Sequence, residues 1–208
     1  MGFRGFRVIG LFCLSFIGTA TARVGEIQRI TVLVHDGAGV PEPVLREAKR
    51  EASRVFREAG IEIHWLDCGS SWPQRPCQFS PHSDALVLHI VPNGRTMRAA
   101  VFGEAFLGEG GHGKYADVFY DRMANAGRTW GTKVARLLGA VSAHELGHLV
   151  LGSRAHSVAG IMAPIWEEDS LRRVGMGTLL FSKEQSALMR TRILGWTLSA
   201  KDSGKADY

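Results

Sequence analysis

The sequence predicts an α+β domain built on a small, mostly mixed and twisted sheet. Three observations lead there. The stretch from Ile27 to Leu66 reads as strand, helix, strand; residues 84–91, 100–107 and 115–121 read as further strands; and two long helical patterns fill the C-terminal half.

Before the domain comes an address. Met1 to Ala22 carries Arg4 and Arg7, an apolar run from Val8 to Gly18, and the small residues Thr19 to Ala22, the pattern of a cleavable signal peptide. The run is too short to span a bilayer and no later run approaches eighteen apolar residues, so no membrane span is expected in the mature chain. The expectation is an exported protein, secreted or periplasmic. It would comprise a signal peptide over 1–22, one domain over 23–200 and a polar tail over 201–208.

Removing the leader reduces three cysteines to Cys68 and Cys77, in a Pro- and Ser-containing loop. In an oxidising compartment these two are expected to pair in one disulfide. The formal charge falls from +5 to +3 when Arg4 and Arg7 leave. That basic excess is spread along the chain, so nucleic acid is excluded as a partner.

The elements follow in order. Ile30, Val32 and Val34 alternate with Arg29, Thr31 and Leu33, a strand from Ile27 to Val34. Pro41 and Pro43 open a helix whose Val44, Leu45, Ala48, Ala52, Val55, Phe56 and Ala59 share one face, with Gly60 past its end. Ile61 to Leu66 is the next strand, with Ile61, Ile63 and Trp65 on one side. The strand-helix-strand order implies a right-handed crossover. Asp84 to Val91 reads as a buried strand. Ala100 to Leu107 and Tyr115 to Asp121 are two more, joined by a Gly-rich hairpin from Gly108 to Gly113. That loop lacks the Lys-Ser/Thr and the following helix of a phosphate loop.

From Thr129 or Trp130 a helix is expected to run to Leu151. Along it Val134, Leu137, Leu138, Val141, His144, Glu145, His148 and Leu151 recur at spacings of three and four. The segment His144-Glu145-Leu146-Gly147-His148 sets two imidazoles on one helix face, able to converge on one ion, with Glu145 about 100° round and able to reach a water on it. A chance histidine pair on such an apolar face would need other hydrogen-bond partners, which Leu146, Leu149 and Val150 do not offer. Gly152 suits a left-handed helix end, and His156 follows it. The segment Gly160-Ile161-Met162-Ala163-Pro164 reads as a tight turn. Ser182 and Gln185 form a capping box for a last helix, with Gly195 as its stop.

The residues from His144 to Met162 resemble the metzincin zinc peptidases, whose signature is a HExxH helix, a glycine turn, a third histidine and a Met-turn. Metzincins read HExxHxxGxxH; this chain reads HExxHxxxGxxxH, one residue longer before the glycine and one longer before the last histidine. The resemblance implies a zincin-like fold in which His144, His148 and His156 hold one zinc ion per chain. It makes Glu145 the general base, Gly152 the turn and Met162 the Met-turn residue beneath the site. It further implies a metalloendopeptidase acting on peptide or protein substrates, with residues 115–121 as the sheet edge that pairs with substrate.

Two alternatives stand beside it. In a gluzincin-like site the third ligand would be Glu167 or Glu168, otherwise an acidic helix start. In an exported non-catalytic domain, the zinc would serve stability alone. Ile165 and Trp166, just past the Met-turn, suggest an apolar subsite. His35, His64, His82 and His89 have no i, i+4 partner and read as structural or surface residues, as does Arg122 at a strand end; His112 reads as solvated.

Overall fold

The computed structural model describes residues 27–68, 77, 85–93 and 101–203, with side chains through Thr197. The signal peptide expected over 1–22 and the last residues of the tail lie outside the described residues. No helix among the described residues is long and apolar enough to cross a membrane.

The opening unit forms as its periodicity requires. Strand β1 (Gln28–Asp36) and strand β2 (Ile61–Asp67) pair in parallel through helix α1 (Glu42–Glu58), which buries Ala48, Ala52, Val55 and Phe56 against the sheet. Gly60, at φ 77°, turns the chain from α1 into β2, a conformation that carries no Cβ penalty in glycine. Strand β3 (Leu86–Val91) joins β1 in parallel, and strand β5 (Tyr115–Phe119) joins β3 in parallel. Strand β4 (Gly103–Phe106) closes the sheet antiparallel to β5, so the order is β2-β1-β3-β5-β4. The hairpin between β4 and β5 contains a short 3-10 turn, Glu109–Gly111, and is closed by the Gly108 amide donating to His112 O at 2.8 Å.

Three expectations are corrected here. The strand expected over 115–121 ends at Phe119, and helix α2 (Tyr120–Trp130) begins directly, burying Met123 and Gly127 one turn apart. Nor is that strand at the edge: β5 lies between β3 and β4, and β4 is the edge. The inner side of β5 is taken by the parallel pairing with β3, so the antiparallel β4 covers its other side and becomes the edge. Gly131 ends α2 in the left-handed region at φ 66°, so helix α3 (Val134–Leu151) starts later than the Thr129 or Trp130 expected.

Helix α3 is buried nearly all round rather than along one stripe. It lies between α1, the sheet, helix α4 (Glu168–Met176) and helix α5 (Lys183–Ser203). Two glycines permit the fit. A Cβ on Gly139 would stand 2.5 Å from Ala48 O, and one on Gly147 would stand 2.7 Å from Phe181 Cε1. The capping box at the start of α5 forms in both directions, Ser182 N to Gln185 Oε1 at 2.8 Å and Gln185 N to Ser182 Oγ at 3.1 Å. Gly195 does not stop this helix, which continues to Ser203. The half-buried Trp196 carries the apolar stripe on, and Gly195 has no positive φ to reverse the chain. The tail expected from 201 is thus helical at its start.

Cys68 and Cys77 are disulfide-bonded with Cα atoms 5.5 Å apart, and pack with Leu33 and Val87 on the sheet face away from α3.

Candidate active site

His144, Glu145 and His148 arise from the last turns of α3 because 3.6 residues per turn put positions four apart on one face. Each histidine ring is held from behind. His144 Nδ1 donates to Ile161 O at 2.6 Å, and His148 Nδ1 donates to Ser153 O at 2.7 Å. With both Nδ1 protons committed to carbonyls, both Nε2 atoms carry lone pairs. Those two Nε2 atoms face each other at 3.1 Å. Two acceptors at that separation repel unless a cation lies between them, so the geometry fits a metal ion.

The chain then reverses as its glycine allows. Gly152 takes up φ 60° and ψ 34°, its amide donating to His148 O. The loop brings back His156, whose ring stacks on His144 with centroids 5.4 Å apart and stands edge-on to His148 at 4.8 Å. The longer HExxHxxxGxxxH spacing therefore still closes. The ligating atoms of His144, His148 and His156 all lie within 4.8 Å of one another, a cluster able to bind one zinc ion. Burial lowers the pKa of all three, that of His144 to about 3, which keeps the imidazoles neutral at pH 7 and so able to accept a metal ion.

Below the cluster lies the expected turn. Ala163 N donates to Gly160 O at 3.2 Å, Gly160 sits at φ 84°, and Met162 is fully buried. A Cβ on Gly147 would meet Met162 Sδ at 2.9 Å, so the glycine inside the motif lets the helix rest on the methionine. Ile161 O, besides holding His144, accepts a bond from Trp166 Nε1 at 3.3 Å, and Trp166 packs edge-on against His144.

Glu145 is buried beside the edge strand and accepts a bond from the Ala105 backbone amide. Burial, then the charge of Glu104, raises its pKa to about 8, while the Ala105 bond opposes the rise. A Cβ on Gly103 would stand 2.7 Å from Glu145 Oε1, so β4 approaches the carboxyl closely only because position 103 has no side chain.

A cleft of about 340 Å³ joins these groups. Residues 101–106 line one wall, and Val141, Ala163, Pro164 and Trp166 line the other. Trp166 thus faces the cleft as expected, whereas Ile165 is exposed outside it. Glu167 and Glu168 are exposed at the start of α4, outside the histidine cluster. Arg122 donates to Val101 O at 2.7 Å and lies over the Phe119 ring, bracing the strand that forms the cleft wall. His112 lines a different cavity.

Sequence reasoning passed over Gly103, the Ala105 amide and the carbonyls of Ser153 and Ile161. Gly103 had a readable signal, an isolated glycine in a strand, which marks a close backbone approach. The two carbonyls had none, since every residue carries one.

No family model matches this chain, and no curated protein matches it. Solved structures do. A zinc-dependent peptidase from Methanocorpusculum labreanum superposes with a TM-score of 0.54 at 18% identity, covering 76% of this chain and 99% of that one. An archaemetzincin from Methanopyrus kandleri gives a TM-score of 0.49 at 16% identity, covering 82% of this chain and 98% of that one. The likeness is one of fold, and it bears out the α+β zincin-like architecture.

Proposed function

We propose that this chain is an exported zinc-dependent metalloendopeptidase, with His144, His148 and His156 as the zinc ligands and Glu145 as the general base. The single observation that carries the reading is the facing pair of Nε2 atoms on His144 and His148, each fixed by a backbone carbonyl, beside a buried carboxyl in an open cleft. The fold likeness to a zinc-dependent peptidase supports it. Residues 23–200 would form its one domain, and cleavage after Ala22 would release it into an oxidising compartment, in keeping with the Cys68–Cys77 disulfide.

A zinc ion bound by three histidines supplies a Lewis acid that brings the pKa of a coordinated water toward about 7 and polarises a peptide carbonyl. The protein's own residues supply the rest. Glu145, whose carboxylate form a neighbouring cation would favour against the burial that raises its pKa, takes the proton of the attacking water and delivers it to the departing amine nitrogen, so that water adds across the broken C–N bond. The Ala105 amide holds the Glu145 carboxyl at the strand edge. Ser153 and Ile161 keep the imidazoles in the ligating tautomer. Met162 supports the helix from beneath. Among the described residues β4 pairs only with β5, which leaves its outer edge for an extended peptide to join, and the cleft follows β4 along its whole length, which favours internal bonds.

The test is metal analysis and hydrolysis of a fluorogenic peptide library by the mature protein and by Glu145→Gln. One zinc per chain in both, with hydrolysis reduced roughly 10²–10⁴-fold in the variant, is the expected result. Undiminished hydrolysis by the zinc-loaded variant removes Glu145 from the mechanism. Zinc without cleavage of any peptide would leave a structural metal domain, and no zinc would end the enzyme reading.

A further inference from the structure

A second cavity, of about 460 Å³, lies between α5 and the β4–β5 hairpin. Phe106 lines both it and the cleft, but none of the three clustered histidines lines it. Its walls include Leu86, Leu149 and Trp196; its charged and titratable lining comes from Arg192, Lys114, His112 and Tyr115, with no carboxylate among the lining residues.

Arg192 is the unusual group. Its guanidinium lies against the backbone at the C-terminal end of α3, where a Cβ on Gly152 would stand 2.6 Å from Arg192 Cζ. The negative end of that helix suits a cation but gives the Nε no acceptor. Among the described residues Arg192 has no carboxylate partner, and its Nε is buried without a hydrogen-bond partner. Other partly buried arginines differ: Arg54 and Arg136 share Glu51, Arg190 donates to Ala59 O at 2.7 Å, and Arg122 and Arg173 donate to Val101 O and Thr178 O. An arginine with a buried donor that lacks an acceptor, on the lining of a cavity of ligand size, suits an anion, and the apolar walls suit a hydrophobic body to carry it.

We propose that this cavity binds a carboxylate borne on an apolar body, with the carboxylate on Arg192 and the apolar part against Leu86, Leu149 and Trp196. The C-terminal residue of a peptide and a free fatty acid both have this chemistry. The planar guanidinium favours a carboxylate over a neutral amide or alcohol, and the walls favour an organic anion over inorganic phosphate.

The test is calorimetric titration of the full mature chain, zinc-loaded and metal-stripped, with N-acetyl-L-phenylalanine, its amide, decanoate, decanol and inorganic phosphate. At least one carboxylate is expected to bind at least tenfold more tightly than its neutral counterpart and than phosphate, equally with and without zinc. The stronger of the two carboxylates identifies the source, peptide terminus or fatty acid. Arg192→Met should abolish the preference for the anion, while Trp196→Ala should weaken both charged and neutral ligands. Should Arg192→Met not fold, Arg192→Lys, which keeps the charge and loses the planar fork, should bind the carboxylate at least threefold more weakly. Equal binding of amide and acid, phosphate binding as tight as either carboxylate, an unchanged Arg192 variant, or no binding would overturn the proposal. Binding that disappears on metal removal would place the ligand in the zinc cleft and overturn it too. Because the metal-stripped arm needs no zinc chemistry, its outcome is independent of the peptidase reading.

Discussion

His144 and His148 point their Nε2 atoms at each other across 3.1 Å, each ring tied through Nδ1 to a main-chain carbonyl of the loop that follows the helix. The helix sets the spacing of the two rings and the loop sets their tautomer. Metal affinity should therefore depend on both. His144→Ala or His148→Ala should lower zinc affinity by more than about 100-fold, beyond the 10- to 100-fold usual for removing an orienting partner. His156→Ala, measured by metal analysis after dialysis against a weak chelator, should also lose most of its zinc. Full retention there would exclude His156 as the third ligand and return attention to Glu167 and Glu168.

Glu145 makes the metal-free protein sensitive to alkali. Its folded pKa of about 8 lies above the ordinary 4.5 because burial disfavours the charge. Folding then favours the protonated form, so this contribution to stability is present below pH 4.5 and is lost as pH rises through about 8. Metal-stripped wild type should melt at a lower temperature at pH 8.5 than at pH 5.5 by more than metal-stripped Glu145→Gln does. Parallel curves for the two proteins would contradict the assignment.

His144 acts in the opposite direction. Its folded pKa of about 3 lies below 6.5, again through burial, so the neutral ring stabilises the fold above pH 6.5 and that stability is lost as pH falls toward 3. Protons also compete with metal for the ring. Zinc retention, followed by equilibrium dialysis, should fall on acidification, and the metal-stripped chain should lose thermal stability over the same window.

Gly103→Ala tests the close approach of the edge strand. The new Cβ would stand 2.7 Å from Glu145 Oε1 and 2.9 Å from Asp117 O, so carboxyl or strand must move. Hydrolysis should fall at least tenfold while zinc content is unchanged, because no ligand is touched. Gly147→Ala presses instead on Met162 and Phe181, and denaturant unfolding should show a loss of about 1–3 kcal/mol.

Replacing both Cys68 and Cys77 by serine should cost about 2–3 kcal/mol, since the loop they close is short. The bond packs on the sheet face away from α3, so zinc affinity should not change.

Local regularities were legible in the sequence. The strand-helix-strand start, the HExxH face, the Gly152 turn, the capping box at Ser182 and the pairing of two cysteines each follow from residues near in the chain. Helix α2 was hidden because its short Met123–Gly127 face merged with the strand before it and the helix after it. Gly195 looked like a stop because a helical glycine and a capping glycine are the same letter, and only Trp196's packing tells them apart.

What the tertiary structure alone decided is relational. The parallel β5 takes the interior and the antiparallel β4 takes the edge, because strand order is set by which buried faces pack together and not by order in the chain. That choice put Gly103 and the Ala105 amide against Glu145. The carbonyls of Ser153 and Ile161 likewise became imidazole anchors by position. A backbone carbonyl has no residue identity to read, so only the folded chain shows which ones the histidines find.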